Sequence, residues 1–99
     1  MSFLVRYTLK SANDHDHQVT AMQKLVSDLK AEGVDKVHYS CFSTDDDTHF
    51  IGILEFTDDE GKQNFLNSAA FAAYRDAVGP TFANPPQTSD IELIAATHD

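Results

Sequence analysis

The octapeptide HFIGILEF at residues 49–56 carries apolar side chains on both parities. Phe50, Leu54 and Phe56 fall on the even positions with Gly52 among them, and Ile51 and Ile53 on the odd ones. Successive side chains of a strand point to opposite faces, so this segment needs cover on both sides. A chain of 99 residues makes a single domain, here taken as residues 1–99, and builds one core. The second covering layer then has to come from another molecule, and closed twofold pairing with an identical chain is the commonest source of one.

The rest of the chain arranges itself around that strand. SFLVRYTL (2–9) alternates Phe3, Val5, Tyr7 and Leu9 against Ser2, Leu4, Arg6 and Thr8, the period of a strand. In the next segment Val19, Met22, Val26 and Leu29 recur at helical spacing beside Leu25; Asn13 or Asp14 is positioned to cap the helix, and Gly33 to close it. DKVHYSCFS (35–43) and HFIGILEFT (49–57) read as a hairpin about the TDDDT turn. Asp58 caps a short helix, Ser68 opens a second with Phe71, Tyr74 and Val78 on one stripe, and Gly79-Pro80 ends it. SDIELIAAT (89–97) reads as a last strand. The order βαββαβ predicts an α+β, ferredoxin-like fold: a four-stranded antiparallel sheet with its helices on one face, because each crossover is right-handed.

Sorting the strand residues by parity gives two faces. Phe3, Val5, Tyr7, Leu9, Val37, Tyr39, Cys41, Phe50, Leu54, Phe56, Ile91, Leu93 and Ala95 form a nearly uncharged set, expected under the helices. Leu4, Arg6, Thr8, His38, Ser40, Phe42, His49, Ile51, Ile53, Glu55, Glu92, Ile94 and Ala96 form a mixed one. The apolar members of the mixed set make a patch that a soluble monomer rarely exposes, which predicts a homodimer. Its charged members predict that the dimer encloses a cavity there. The expected pocket residues are Phe42, His49, Ile53, Glu55 and Glu92. His38 can accept a phenolic proton and Arg6 can hold the resulting anion, which makes them the candidate catalytic pair. The alternative is that Arg6 pairs with Glu55 or Glu92 within the sheet while the histidines sit at strand ends in solvent.

Charge narrows the partners. Sixteen acidic against seven basic residues give a net charge of -9, without the basic footprint that nucleic-acid binding requires. No apolar run approaches a membrane span, and MSFLVRYTLK lacks the features of a signal peptide, so a cytoplasmic protein is expected. No metal is expected. His15 and His17 of DHDH diverge at a helix start, and the Asp45–Asp47 run lacks the glycine and distal glutamate of a calcium loop. The single Cys41 lies in a strand pattern and reads as a small core residue.

The strand FIGILEF running into TDDEGKQNFLNSAAFAAYRDAV, with its SAAFAAYRDAVGP segment, resembles the antibiotic-biosynthesis-monooxygenase type of dimeric α+β barrel, and the resemblance spans the chain. It implies two ferredoxin-like sheets paired into a barrel, with helices outside and a ligand pocket between sheet and helices. Glu55 matches an acidic residue of the third strand, while Phe56 stands where Trp or Tyr is frequent. Oxidation of a small hydrophobic aromatic of quinol or polyketide type, without a cofactor, is the activity the resemblance implies. A non-catalytic dimeric module that binds a small ligand or merely assembles is the other reading.

Overall fold

The computed structural model describes residues 1–98. Strand β1 (Ser2–Thr8) leads through a short 3-10 turn into helix α1 (His15–Glu32). Strands β2 (Val37–Ser43) and β3 (His49–Phe56) follow as a hairpin, then helices α2 (Asp59–Leu66) and α3 (Ala69–Val78), and finally strand β4 (Gln87–Ile91). All strand pairs are antiparallel in the order β2-β3-β1-β4, the ferredoxin-like arrangement expected. Among the described residues no helix is long and apolar enough to cross a membrane.

Local chemistry explains the element ends. Ser11, rather than Asn13 or Asp14, supplies the first side-chain cap: its hydroxyl accepts from Asn13 N–H at the 3-10 turn, while Asp14 stands at the start of α1 without a capping bond. Gly33 closes α1 at φ 74°, the left-handed conformation that glycine adopts without strain. Asp58 Oδ1 accepts from Gly61 N–H at 2.9 Å and Ser68 Oγ from Phe71 N–H at 3.1 Å, as the sequence predicts. Gly61 also lets α2 approach β2, because a Cβ there would lie 2.5 Å from the Lys36 carbonyl oxygen.

A cap from outside the helix reinforces α3. The Glu32 carboxylate, at the end of α1, accepts from the backbone N–H groups of Ala69 and Ala70 at 3.1 and 3.0 Å. Ionised acceptors on first-turn donors are the stronger kind of cap. Glu32→Ala should therefore lower stability by about 1 kcal/mol, read as a lower denaturant midpoint with unchanged slope. An unshifted midpoint would remove any energetic role for the bridge.

Parity sorted the faces of β1 to β3 correctly. Val5, Tyr7, Leu9, Phe50 and Phe56 are buried beneath the helices with Leu25, Phe65, Tyr74 and Val78. Each large apolar side chain so buried contributes about 1.5–3 kcal/mol. The last strand departs from expectation. It spans 87–91 instead of 89–97, and the pairing of Ser2 with Ile91 puts Ile91 on the open face, not under the helices. Glu92, Leu93, Ile94, Ala95 and Ala96 lie beyond the strand, with Leu93 79% and Ile94 97% exposed. The ladder marks the end: β4 pairs only with β1, whose strand begins at Ser2, the partner of Ile91, and the pairing stops there. The polar QTSDI segment serves instead, because an edge strand is held by its ladder rather than by apolar side chains.

Candidate functional site between sheet and helices

The space between the sheet and the helices is not filled. A cavity of about 570 Å³ lies there, walled by Phe3, Phe56, Phe65, Phe71 and Phe82 and by aliphatic residues including Val5, Leu25 and Leu54. Its rim includes the exposed residues Leu66, Arg75 and Pro86. The wall rings pack on one another, Phe65 lying 4.6 Å from Phe71 and 5.9 Å from Phe56, with Phe3 5.9 Å from Phe56. A volume of this size, mostly apolar with a few convergent polar groups, is the usual form of a small-molecule site.

Three of its polar groups are tyrosines. Tyr7 of β1, Tyr39 of β2 and Tyr74 of α3, the only three in the chain, all line the cavity. The Tyr7 and Tyr39 hydroxyls are 3.4 Å apart, and the Tyr7 and Tyr74 rings meet edge to face at 6.4 Å. Gln18, fully buried in α1, donates from Nε2 to the Tyr74 hydroxyl at 2.8 Å. That bond occupies an acceptor site on Tyr74 and leaves its proton to be donated. Gly52 makes room for the arrangement: a Cβ on it would lie 3.0 Å from Tyr39 Cε1 and 3.4 Å from Tyr7 Cε2. The glycine in the middle of HFIGILEF is therefore where two tyrosine rings cross the strand.

Burial pushes all three phenols above the ordinary tyrosine range, partly offset at Tyr7 by the bond with Tyr39. They are neutral hydrogen-bond donors at pH 7, not bases. Burial likewise raises the Cys41 thiol, which packs against the core as expected and is not a thiolate. The unfolded chain ionises its tyrosines near pH 10, before the folded chain can, so stability is intact below that pH and falls as pH rises above it. Spectrophotometric titration should show phenolate appearing cooperatively with unfolding. Smooth titration of folded protein near pH 10 would contradict the buried cluster.

Apart from Glu92, the residues singled out from sequence lie on the opposite face of the sheet. His38 and Glu55 are cross-strand partners with Nδ1 3.9 Å from Oε1, both exposed. Arg6 pairs with Ile51 in the ladder and reaches Ser89 Oγ at 3.5 Å; it forms no ion pair with Glu55 or Glu92. The register puts the Arg6 and His38 Cα atoms about 16 Å apart, two strands over and four residues along. Side chains standing roughly perpendicular to a sheet do not close that distance on one oxygen. His49 begins β3 and pairs with Asp46 at 3.0 Å, within a turn where Thr48 also donates to Asp46 and holds its carboxyl down at about 2. Phe42 is exposed and Ile53 half-buried on the same face, while Glu92 borders a shallow groove with Phe3, Lys62 and Asp90. His15 and His17 contact different backbone carbonyls, those of Asp47 and Ala77, and no group of three metal-ligating side chains occurs among the described residues.

In sequence, alternation marks the tyrosines as core residues and nothing more. The one available signal was Gly52, a strand-interior glycine, which often marks a close approach of other groups.

No protein-family model matches this chain, and no curated protein is significantly similar to it. Solved structures do match. A candidate antibiotic biosynthesis monooxygenase from Nitrosomonas europaea superposes with a TM-score of 0.78 over 96% of this chain and 100% of its own, at 14% identity. A protein so described from Bacteroides thetaiotaomicron gives a TM-score of 0.85 over 100% and 93%, at 9% identity. A point mutant of SnoaB, a cofactor-independent oxygenase from Streptomyces nogalater, gives 0.75 over 99% and 96%, at 12% identity. The chain has the fold of these proteins, which is the fold its sequence resemblance implies.

Proposed function

We propose that a chain with the antibiotic-biosynthesis-monooxygenase fold and an aromatic cavity ending on three neutral tyrosines is a cofactor-independent oxygenase of small phenolic aromatics. The observation that carries this reading is the tyrosine cluster inside the 570 Å³ cavity. A planar aromatic can stack on the phenylalanine walls while its phenolic oxygen accepts from Tyr7, Tyr39 or Tyr74. Donors fixed in a largely apolar site stabilise negative charge as it develops on that oxygen, which is what electron transfer from the ring to dioxygen needs. The overall change balances without a further reductant. A phenol and one dioxygen give a quinone and one water, one oxygen atom entering the ring carbon that loses its hydrogen.

Oxygen uptake with a panel of phenols and hydroquinones, with and without added flavin, tests this. Uptake without flavin is expected, and Tyr39→Phe and Tyr7→Phe should each slow it about 10²-fold, the usual effect of losing one such donor. His38→Ala and Arg6→Ala should retain wild-type rates. At least tenfold losses in those two, with the tyrosine variants unaffected, would move the site to the open face. Binding without uptake across the panel would leave the non-catalytic ligand-binding module.

The open face supports a second part of the reading, that the chain works as a homodimer. Phe42 and Ile91 are exposed there, Leu4, Ile51 and Ile53 are only half-buried, and the exposed Leu93 and Ile94 follow directly after Ile91. Pairing of two such faces covers this surface and completes the layer that β3 lacks.

A further inference from the structure

We infer, building on that reading of the cavity, that its ligand is an aromatic bearing a carboxylate, and that Lys62 and Arg75 at the cavity wall select for the acid. The chain has sixteen acidic residues and seven basic ones, yet two of those cations and none of the acids line this cavity. Neither cation is committed elsewhere: among the described residues neither forms an ion pair or a hydrogen bond through its side chain. Both are held by ring faces of the cavity wall. Lys62 Nζ sits 5.0 Å from the Phe3 centroid, and the Arg75 guanidinium 4.9 Å from that of Phe71.

Such placement has a consequence for recognition. A net charge of -9 repels anions in general, so an anionic ligand needs a local reversal of sign at its entrance. Lys62 and Arg75 supply one, and their ring contacts hold the charged groups where an aromatic stacked in the cavity would present an acid. Two acids, Asp90 and Glu92, line the adjoining groove that shares Phe3 and Lys62 with the cavity, and not the cavity itself. The neutral tyrosine hydroxyls serve the other, buried end, since they can donate to a phenol or carbonyl oxygen but offer no charge. The site thus has two distinct poles, a cationic rim and a neutral hydrogen-bonding floor, and an aromatic hydroxy acid matches both.

Calorimetric titration with 1-naphthol and 1-hydroxy-2-naphthoate separates the two poles. Wild-type protein should bind the acid about tenfold more tightly than the naphthol, and the preference should shrink as salt is raised. Lys62→Gln combined with Arg75→Gln should reduce the preference to within about twofold, through weaker binding of the acid. Equal wild-type affinities, or a preference that survives the double substitution, would overturn the assignment of the cations while leaving the cavity reading in place. Failure of both ligands to bind would remove the cavity reading and this inference with it.

Discussion

Phe65→Ala should lower the free energy of unfolding by about 3–5 kcal/mol, a large share of the roughly 5–15 kcal/mol that holds a domain together. Phe65 is 2% exposed and is the ring on which α2, α3 and the sheet converge, in contact with Tyr39, Phe56 and Phe71. It also forms part of the cavity wall, so its removal extends an existing void rather than creating one that neighbours could fill by a small shift. That places the expected loss toward the upper end for a phenylalanine truncation. Phe65→Leu, which keeps most of the volume, should cost less than half as much. Urea titrations of both variants decide the matter. A loss under about 1 kcal/mol for the alanine variant would mean that α2 is held by its capping and Lys36 contacts and not by this ring.

Ile53→Lys should dissociate the proposed dimer, at a cost of several kcal/mol per interface, because it buries an unpaired ammonium in the layer between two sheets. Ile53 is cross-strand partner to Leu4 and Ser40, at the middle of the open face, with no element of its own chain above it. Apolar interfaces that complete a core are commonly obligate, so loss of the partner should appear together with a lower melting temperature. Light scattering at micromolar concentration is the readout. A wild-type compact monomer of 11.0 kDa would refute the dimer. So would a variant whose mass and melting temperature match those of the wild type.

Much of this molecule was legible before folding. Side-chain alternation and helical spacing are properties of neighbours in sequence, and they sufficed to locate the helices and β1 to β3, assign their faces, and single out HFIGILEF as a strand lacking cover on one side. The fold followed from the order of the elements. Two things did not follow. The end of β4 falls where its partner strand starts, and the apolar IELIAA stretch carries no information about Ser2. The site itself depends on a void, and a void is a mismatch among residues distant in sequence: Tyr7, Tyr39 and Tyr74 are three ordinary core positions until the sheet register and the packing of α3 bring their hydroxyls together around empty space. Sequence periodicity distinguishes inside from outside. It cannot distinguish an inside that is filled from one that is hollow, because that difference lies in the summed volumes of side chains that meet only in the folded chain.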